Sequence, residues 1–487
     1  MGARTGAEYL AGLAATDRDV WVDGERIDDV ASHPKLAGGA ASLAAQFDRQ
    51  HTYADECLIP DPETGEPISI SHMIPRSKDD LRRRHVGLLR LTEGTSGLMG
   101  RTPDYMNMKF SGFASAPWVW AGADGSRQQH ADNLVAYQKR LARQDIALTH
   151  TIIQPTIDKR TDGRILDNKV TIHKVGETDE GIVVRGARVL ATLAPFADET
   201  TVYPALPIPP GADDYALAFA IPLDTPGLKF LCRDSMSSSG RPAFDQPLSS
   251  RFDEQDAFCI FDDVVVPWDR IFIDGDVDVY NSIQQTGYAI NMTSQSTTRA
   301  LAKLQFAYGL ACRMAEMIGD HSPSTVDMLG EIACYVEVTR SALELSIEQG
   351  FEREQDGVWF PDGRPLNPMR ALLATWMPRV AEIITLIGSH NLLTTPTKQQ
   401  LDDPALRPLI DETLYGADDV NALDRAALFR MAWDFVGSGL AGRGFLYERF
   451  YLTSAARNRN MMHNVFADKA RPAELVDQML GLPDRSA

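Results

Sequence analysis

Over the first 149 residues apolar positions recur mainly at helical spacing. In HADNLVAYQKRLARQDIAL (130–148), Leu134, Tyr137 and Leu141 fall on one face with basic residues opposite. The texture then changes. NKVTIHKVGETDEGIVVRGARVLATL (168–193) reads as two β-rich runs around a polar, Gly-containing turn. DYALAFAIPL, LKFLCR and AFCIFDDVVVPWDRIFI add further strands, punctuated by Pro and Gly as in a small barrel or sandwich. From about residue 280 helical spacing returns. Leu301, Leu304, Tyr308 and Ala311 step by three and four. So do Leu329, Ile332, Val336, Thr339, Leu343 and Ile347, and then Leu373, Trp376, Val380, Ile383 and Ile387. A fourth run starts near Asn421 and passes Phe435. Four long amphipathic helices in succession predict a bundle. The expectation is an α+β chain: a mainly helical domain over 1–149, a β domain over 150–277 and a helical bundle over 278–487. DGVWFPDGRP (356–365) is expected to be a surface loop within the bundle.

Composition narrows the partners. The chain has 487 residues and a formal net charge of -19. That disfavours nucleic acid and anionic membrane, which attract basic surfaces. No continuous apolar run reaches the roughly 18 residues of a membrane span, and no signal peptide is expected, so the expected address is the cytoplasm. Five scattered cysteines do not form a disulfide framework, and the ten histidines show no metal-ligand spacing; no metal is expected.

Three motifs carry candidate chemistry. GSGLAG (437–442) matches a dinucleotide-binding pattern but follows a helical stretch, not a strand, so it is expected to be a helix end. GRTPDYMN (100–107) places a helix start at Pro103, with Arg101 just outside and Tyr105 in the first turn. A fixed cation and a phenol hydroxyl can then face one spot. LTHTIIQPTIDKR (148–160) sits where helix gives way to strand, and gathers His150, Thr151, Gln154, Thr156 and Asp158. Such amides and hydroxyls suit a polar heterocycle such as a flavin ring. Thr192, in ATLAPFADET, adds a hydroxyl at a strand end.

The order helical, β, helical resembles the acyl-CoA dehydrogenase architecture, which holds a flavin between β domain and bundle. IFDDVVVPWDRIF (260–272) is similar to the segment that closes the β domain there. GRTPDYMN and LTHTIIQPTIDK, in that order, together with YERFYLTS (447–454), resemble the 4-hydroxyphenylacetate 3-hydroxylase family, the second motif being similar to its chlorophenol branch. The resemblance covers nearly the whole chain. It implies the oxygenase component of a two-component phenol monooxygenase, taking reduced FAD from a separate NAD(P)H-flavin reductase. Oxygen then adds at flavin C4a, and the hydroperoxide hydroxylates a phenol ortho to its hydroxyl or at a halogen- or nitro-bearing carbon.

On this resemblance Arg101 offsets part of the roughly 4 kcal/mol needed to ionise a phenol at pH 7. Tyr105 fixes the phenol, and His150 accepts or relays its proton near working pH. His150, Thr151, Ile152, Gln154, Thr156, Ile157, Asp158, Lys159 and Thr192 are expected to hold the cofactor. Tyr451, Leu452, Thr453 and Ser454 are carried over from the family loop that reaches the flavin. Gln295 stands near the place of a family histidine, just before a bundle helix expected to start near Thr298; Gln is no base, which moves the task to His150 or alters the substrate. A homotetramer, or at least a dimer, is expected. The alternatives are an acyl-CoA dehydrogenase-like flavin oxidase, a 4-hydroxybutyryl-CoA dehydratase-like lyase and a non-catalytic flavin-binding member.

Overall fold

The computed structural model describes residues 2–157, 168, 170–237, 240–465 and 470–481. The N-terminal part is built on the helices Gly6–Ala14, Ala37–Thr52, Lys78–Glu93, Pro103–Ala114 and Gln128–Arg143. Leu134, Tyr137 and Leu141 are all buried, as their spacing requires. Among the elements not legible in the sequence is one that joins two regions. The short strand Asp19–Val22 leaves this helical region and pairs in parallel with Leu228–Cys232 of the β region.

The β region holds two sheets. One has six strands in the order Glu25–Arg26, Asp19–Val22, Leu228–Cys232, Asp256–Pro267, Gly181–Thr192, His173–Glu177. The other has four: Ile271–Asp274, Leu217–Pro222, Glu199–Val202, Leu148–His150. Their inner faces share one core, in which Phe219 and Phe261 meet edge to face at 6.1 Å. The longest pairing depends on a bulge. Ala257, Cys259 and Phe261 point inward; the register then shifts between Phe261 and Val264, with Asp263 at φ 53°. The extra residue restores Val264 and Val266 to the core side, which an unbroken alternation would have turned outward.

The bundle comprises Tyr288–Met317, Pro323–Glu348, Gly363–Gly388 and Ala422–Val436, with a common core of Leu304, Ile332, Leu343, Leu373, Ile383 and Phe429 among others. Gly363–Gly388 is long and apolar enough, by length and composition, to cross a membrane. Leu366, Val380 and Ile387 are among its residues buried in the bundle, while Arg364, Arg370 and Arg379 lie off that buried stripe. Two sequence expectations are corrected here. The first bundle helix starts at Tyr288, not near Thr298. The stretch 356–365 is not a surface loop: Val358–Phe360 pairs with Phe351–Arg353, and Val358 and Phe360 are buried. Phe360 packs so close to Gly287 that a Cβ there would lie 2.7 Å from its ring; Gly287 also sits at φ 78°. The apolar residues of the hairpin are anchored by this contact, which no local pattern announces. GSGLAG is a helix junction, with Ser438 capping the helix Gly439–Phe450.

Candidate functional site

The helix Pro103–Ala114 is buried along its whole length. Its entry is fixed by a carboxylate. The backbone N–H groups of Gly100 and Arg101 donate to the buried Glu254 at 2.9 and 3.0 Å. Arg443 bonds Glu254 at 2.7 Å and Asp256 at 2.9 Å, and Asp256 accepts the Thr192 hydroxyl at 2.6 Å. Two strand ends and the bundle thereby hold one loop in place. Thr192 serves this frame in the structure, its hydroxyl being spent on Asp256.

With its backbone fixed, the Arg101 side chain turns onto aromatic rings. Its Cζ lies 4.0 Å from the Tyr105 ring centroid, 5.1 Å from that of Tyr451 and 5.5 Å from that of Tyr447. One guanidinium nitrogen donates to the Tyr447 hydroxyl at 2.7 Å and to the Gly100 carbonyl at 3.2 Å. No carboxylate touches the guanidinium among the described residues. Asp104, its near neighbour in sequence, instead accepts from Gln295 at 2.8 Å. Burial opposes the Arg101 charge, but the facing tyrosine oxygens and Glu254 outweigh it and raise its pKa above the ordinary value.

His150 ends the strand Leu148–His150 and is stacked on Tyr105, with centroids 5.6 Å apart and planes at 24°. Burial, then the charges of Lys109 and Arg101, push its pKa well below the ordinary value. This corrects the expectation of a histidine titrating near working pH: the ring is neutral there. Its buried Nδ1 has no partner among the described residues, so it is free to take part in a hydrogen bond.

The stretch after His150 divides. Thr151 is buried with an unpartnered hydroxyl oxygen. The Ile152 carbonyl accepts from Arg188 at 2.8 Å. Gln154 is half-buried, whereas Thr156 and Ile157 face outward; Asp158 and Lys159 lie outside the described residues. Across the site, Tyr451 stacks on Tyr447 at 4.5 Å and donates to the Ser296 carbonyl at 3.3 Å. Asn458 donates to the carbonyls of Leu452 at 2.9 Å and Thr453 at 3.3 Å, holding Thr453 at φ 67°. The Ser454 hydroxyl accepts the Arg457 N–H at 3.3 Å. Arg101, Tyr105, His150 and Tyr451 are thus brought together, and Leu452, Thr453 and Ser454 form a pinned turn at their margin.

Residues outside the motif-based set complete the cluster. Lys109 donates to the Tyr203 hydroxyl, and Tyr203 lies 5.8 Å from His150. Tyr447 occupies the Arg101 guanidinium. Lys109 follows Tyr105 by four residues, the spacing that places two side chains on one helix face; that signal was available in the sequence. Tyr203 follows the strand Glu199–Val202, far along the chain, and had none.

These residues suit a flavin. Unpartnered buried polar atoms occur at His150 and Thr151, at and just after a strand end, and at Gln295 and Ser296 on the first bundle helix. They offer the donors and acceptors that the ring's nitrogens and carbonyls need. No group of three or more His, Cys, Asp or Glu able to hold a metal occurs among the described residues.

Comparison with known proteins agrees. A family described as 4-hydroxyphenylacetate 3-hydroxylase N terminal matches residues 5–273, and its C-terminal counterpart matches 280–481. The chain is 36% identical to the 4-hydroxyphenylacetate 3-monooxygenase oxygenase component of Thermus thermophilus, covering 95% of each. It is 32% identical to a 4-nitrophenol 2-monooxygenase oxygenase component from Rhodococcus, covering 92% of this chain and 85% of the other. A crystal structure of a 4-hydroxyphenylacetate 3-monooxygenase oxygenase component complexed with FAD superposes with a TM-score of 0.91, at 36% identity over 98% of each chain. An archaeal 4-hydroxybutyryl-CoA dehydratase shares the fold, with a TM-score of 0.89 at 17% identity. Fold and relatives define the class: the oxygenase component of an FAD-dependent monooxygenase. Within that class, the chain belongs to the 4-hydroxyphenylacetate 3-hydroxylase family.

Proposed function

We propose that the chain hydroxylates a phenol ortho to its hydroxyl, with Arg101, Tyr105 and His150 as the residues that bind and activate it. The observation that carries this reading is the Arg101 guanidinium: buried, without a carboxylate partner among the described residues, and holding a phenol oxygen, that of Tyr447, at 2.7 Å. A substrate phenol presents the same group. Its ionised form is the stronger carbon nucleophile, and ionisation at pH 7 costs about 4 kcal/mol for a phenol of ordinary pKa. A guanidinium in a site poor in water offsets much of that cost. The neutral His150 ring accepts a hydrogen bond from the phenol hydroxyl, and Tyr105 orients the oxygen between the two.

Reduced FAD, supplied by a reductase, and O2 provide the electrophilic oxygen atom when bound. Phenol, O2 and FADH2 yield catechol, water and FAD, so the electrons balance. His150, Thr151 and Tyr451 would hold the flavin, with Gln154 and the 452–454 turn at its edge. Exposed Val338, Leu345 and Leu386 on the bundle support an assembly of at least two copies, up to the expected tetramer; a monomer by light scattering at micromolar concentration would remove that part.

The test is anaerobic titration with reduced FAD, then oxygen and a panel of phenols with product analysis. Catechol formation is expected. No affinity for reduced FAD would overturn the reading. Fatty-acyl oxidation in its place would favour the oxidase alternative, and flavin binding without turnover the non-catalytic one.

A further inference from the structure

Asp104 is a buried acid that the proposed chemistry leaves unused. It is 4% exposed and lies in the first turn of the helix Pro103–Ala114, where the helix dipole favours a negative charge. Its carboxylate accepts from Gln295 at 2.8 Å, and no arginine or lysine bonds it among the described residues. Other buried acids are paired: Glu254 with Arg443 at 2.7 Å, Glu199 with Arg270 at 3.0 Å and Glu448 with Arg299 at 2.8 Å. The Arg101 guanidinium, three residues before Asp104, is turned onto the tyrosines instead. A buried charge without a counter-ion is costly, and a ligand that brings the opposite charge relieves that cost.

Asp104 lines a cavity of about 20 Å³ together with Ser69, Gln50, Asn107 and Asp145. About 10–15 Å³ is enough to hold one water, and a potassium ion has nearly the radius of a water. Asn107 follows Asp104 by three residues, so the two fall on one helix face. It is 1% exposed, its amide nitrogen donates to Ser71 at 3.0 Å, and its carbonyl oxygen has no partner among the described residues. Ser71 is off the cavity wall, so the oxygen is the end of that amide left to the cavity. The Ser71 hydroxyl lies 2.9 Å from that of Ser69, which does line the cavity. Asp145, the second acid, accepts the Arg4 N–H at 3.0 Å and the Gln50 amide at 2.5 Å. Arg4 is the cation nearest to it, and its guanidinium is shared with Asp198 at 2.6 Å. Carboxylate, amide and hydroxyl oxygens around one water-sized space are the ligands that hard cations take.

We propose that this cavity binds one potassium-sized alkali-metal cation, held by the Asp104 carboxylate, the Asn107 amide oxygen and the Ser69 hydroxyl, with Asp145 adding negative charge at the wall. The ion balances Asp104 and pins the first turn of the helix that carries Tyr105, with Arg101 just before it. The site stands independently of the phenol-hydroxylase reading. Burial pushes the Asp104 carboxyl above its ordinary value, an effect that a bound cation reverses.

The probe is potassium chloride against tetramethylammonium chloride at equal ionic strength, the second cation being too large for the cavity. Thermal unfolding of the full chain is the readout. Potassium is expected to raise Tm saturably, by about 3–5 °C at roughly 100 times its Kd. Asp104→Asn should abolish the difference between the two salts. Ser69→Ala should raise the half-saturating potassium concentration about 3- to 10-fold, the loss of one neutral ligand. Wild-type crystals soaked in thallium(I), a potassium mimic, should show an anomalous peak between Asp104 and Asn107. Equal Tm in the two salts overturns the proposal, and this wild-type result decides even where Asp104→Asn fails to fold. A difference that persists unchanged in Asp104→Asn also overturns it, as an effect of bulk salt. So does a thallium-soaked crystal with only water in the cavity, Asp104 then being protonated. Catechol formation without any effect of potassium on Tm removes this inference and leaves the hydroxylase reading standing.

Discussion

Two pairs of buried cations approach one stack of tyrosines, Arg101 and Arg299 each lying within 5.6 Å of the Tyr447 and Tyr451 ring centroids. Arg299 and Lys303, one turn apart on the first bundle helix, share Glu448, with contacts of 2.8 Å from each. Arg101 and Lys109, flanking Tyr105, share no acid among the described residues. The helix Gly439–Phe450 serves both pairs with consecutive residues: Glu448 goes to the first and the Tyr447 hydroxyl to the second. In the first pair the charge closes within the protein and ties two helices together. In the second no acid among the described residues closes the balance, which is what the proposed phenol site makes use of. Burial and positive charge are common to both, so neither property distinguishes a lock from a site; the missing anion does.

The largest effect expected from breaking this contrast is on stability. Glu448→Gln strands two buried cations and should cost about 3–5 kcal/mol in urea unfolding. Glu448 has its pKa held at about 2: burial raises it, but Arg299 and Lys303 more than offset that. A carboxylate depressed on folding stabilises above its unfolded pKa and loses that contribution as pH falls through the folded value. Acid unfolding below about pH 4.5 should therefore flatten in Glu448→Gln.

Arg101→Ala should do the opposite, sparing stability and removing about 2–4 kcal/mol of barrier lowering, or roughly 30- to 1,000-fold in hydroxylation rate. Reduced flavin should still be reoxidised, with hydrogen peroxide replacing catechol in product analysis. Arg101→Lys should recover only part of the rate, because an ammonium lacks the planar fork. Normal coupling in Arg101→Ala would show the motif to be structural. Tyr105→Phe should weaken phenol binding by about 1 kcal/mol, the worth of one neutral hydrogen bond. The smallest effect is expected from pH. Because the His150 pKa is depressed, hydroxylation should show no inflection near about pH 6.5. An inflection there that disappears in His150→Asn would contradict a neutral ring.

Much of this was legible because local signals and tertiary structure agree. Pro103 starts its helix as predicted, and the strands His173–Glu177, Gly181–Thr192, Leu217–Pro222, Leu228–Cys232, Asp256–Pro267 and Ile271–Asp274 and the four bundle helices fall where they were expected, whereas Glu199–Val202, buried at every position, did not announce itself. What escaped depends on distant chain. Asp19–Val22 is too short to signal itself, and its partner strand lies far along the sequence. The 351–360 hairpin is held by Gly287. At the site, motif reading found Arg101, Tyr105 and His150. The Tyr447 hydroxyl on Arg101 and the acid-free surroundings of Lys109 are properties of assembled helices, and no window of sequence contains them.

The parallel pairing of Asp19–Val22 with Leu228–Cys232 also bears on how the chain is made. During synthesis the early strand emerges with Val20 and Val22, both destined for the core, and with no partner until the β region has been translated. Pairing across so long a separation carries a high loop-closure cost and belongs late in folding. The helical and β regions therefore cannot mature one after the other. A segment synthesised about 200 residues before its partner is among the last to be seated, and it waits on the ribosome's progress past Leu228–Cys232.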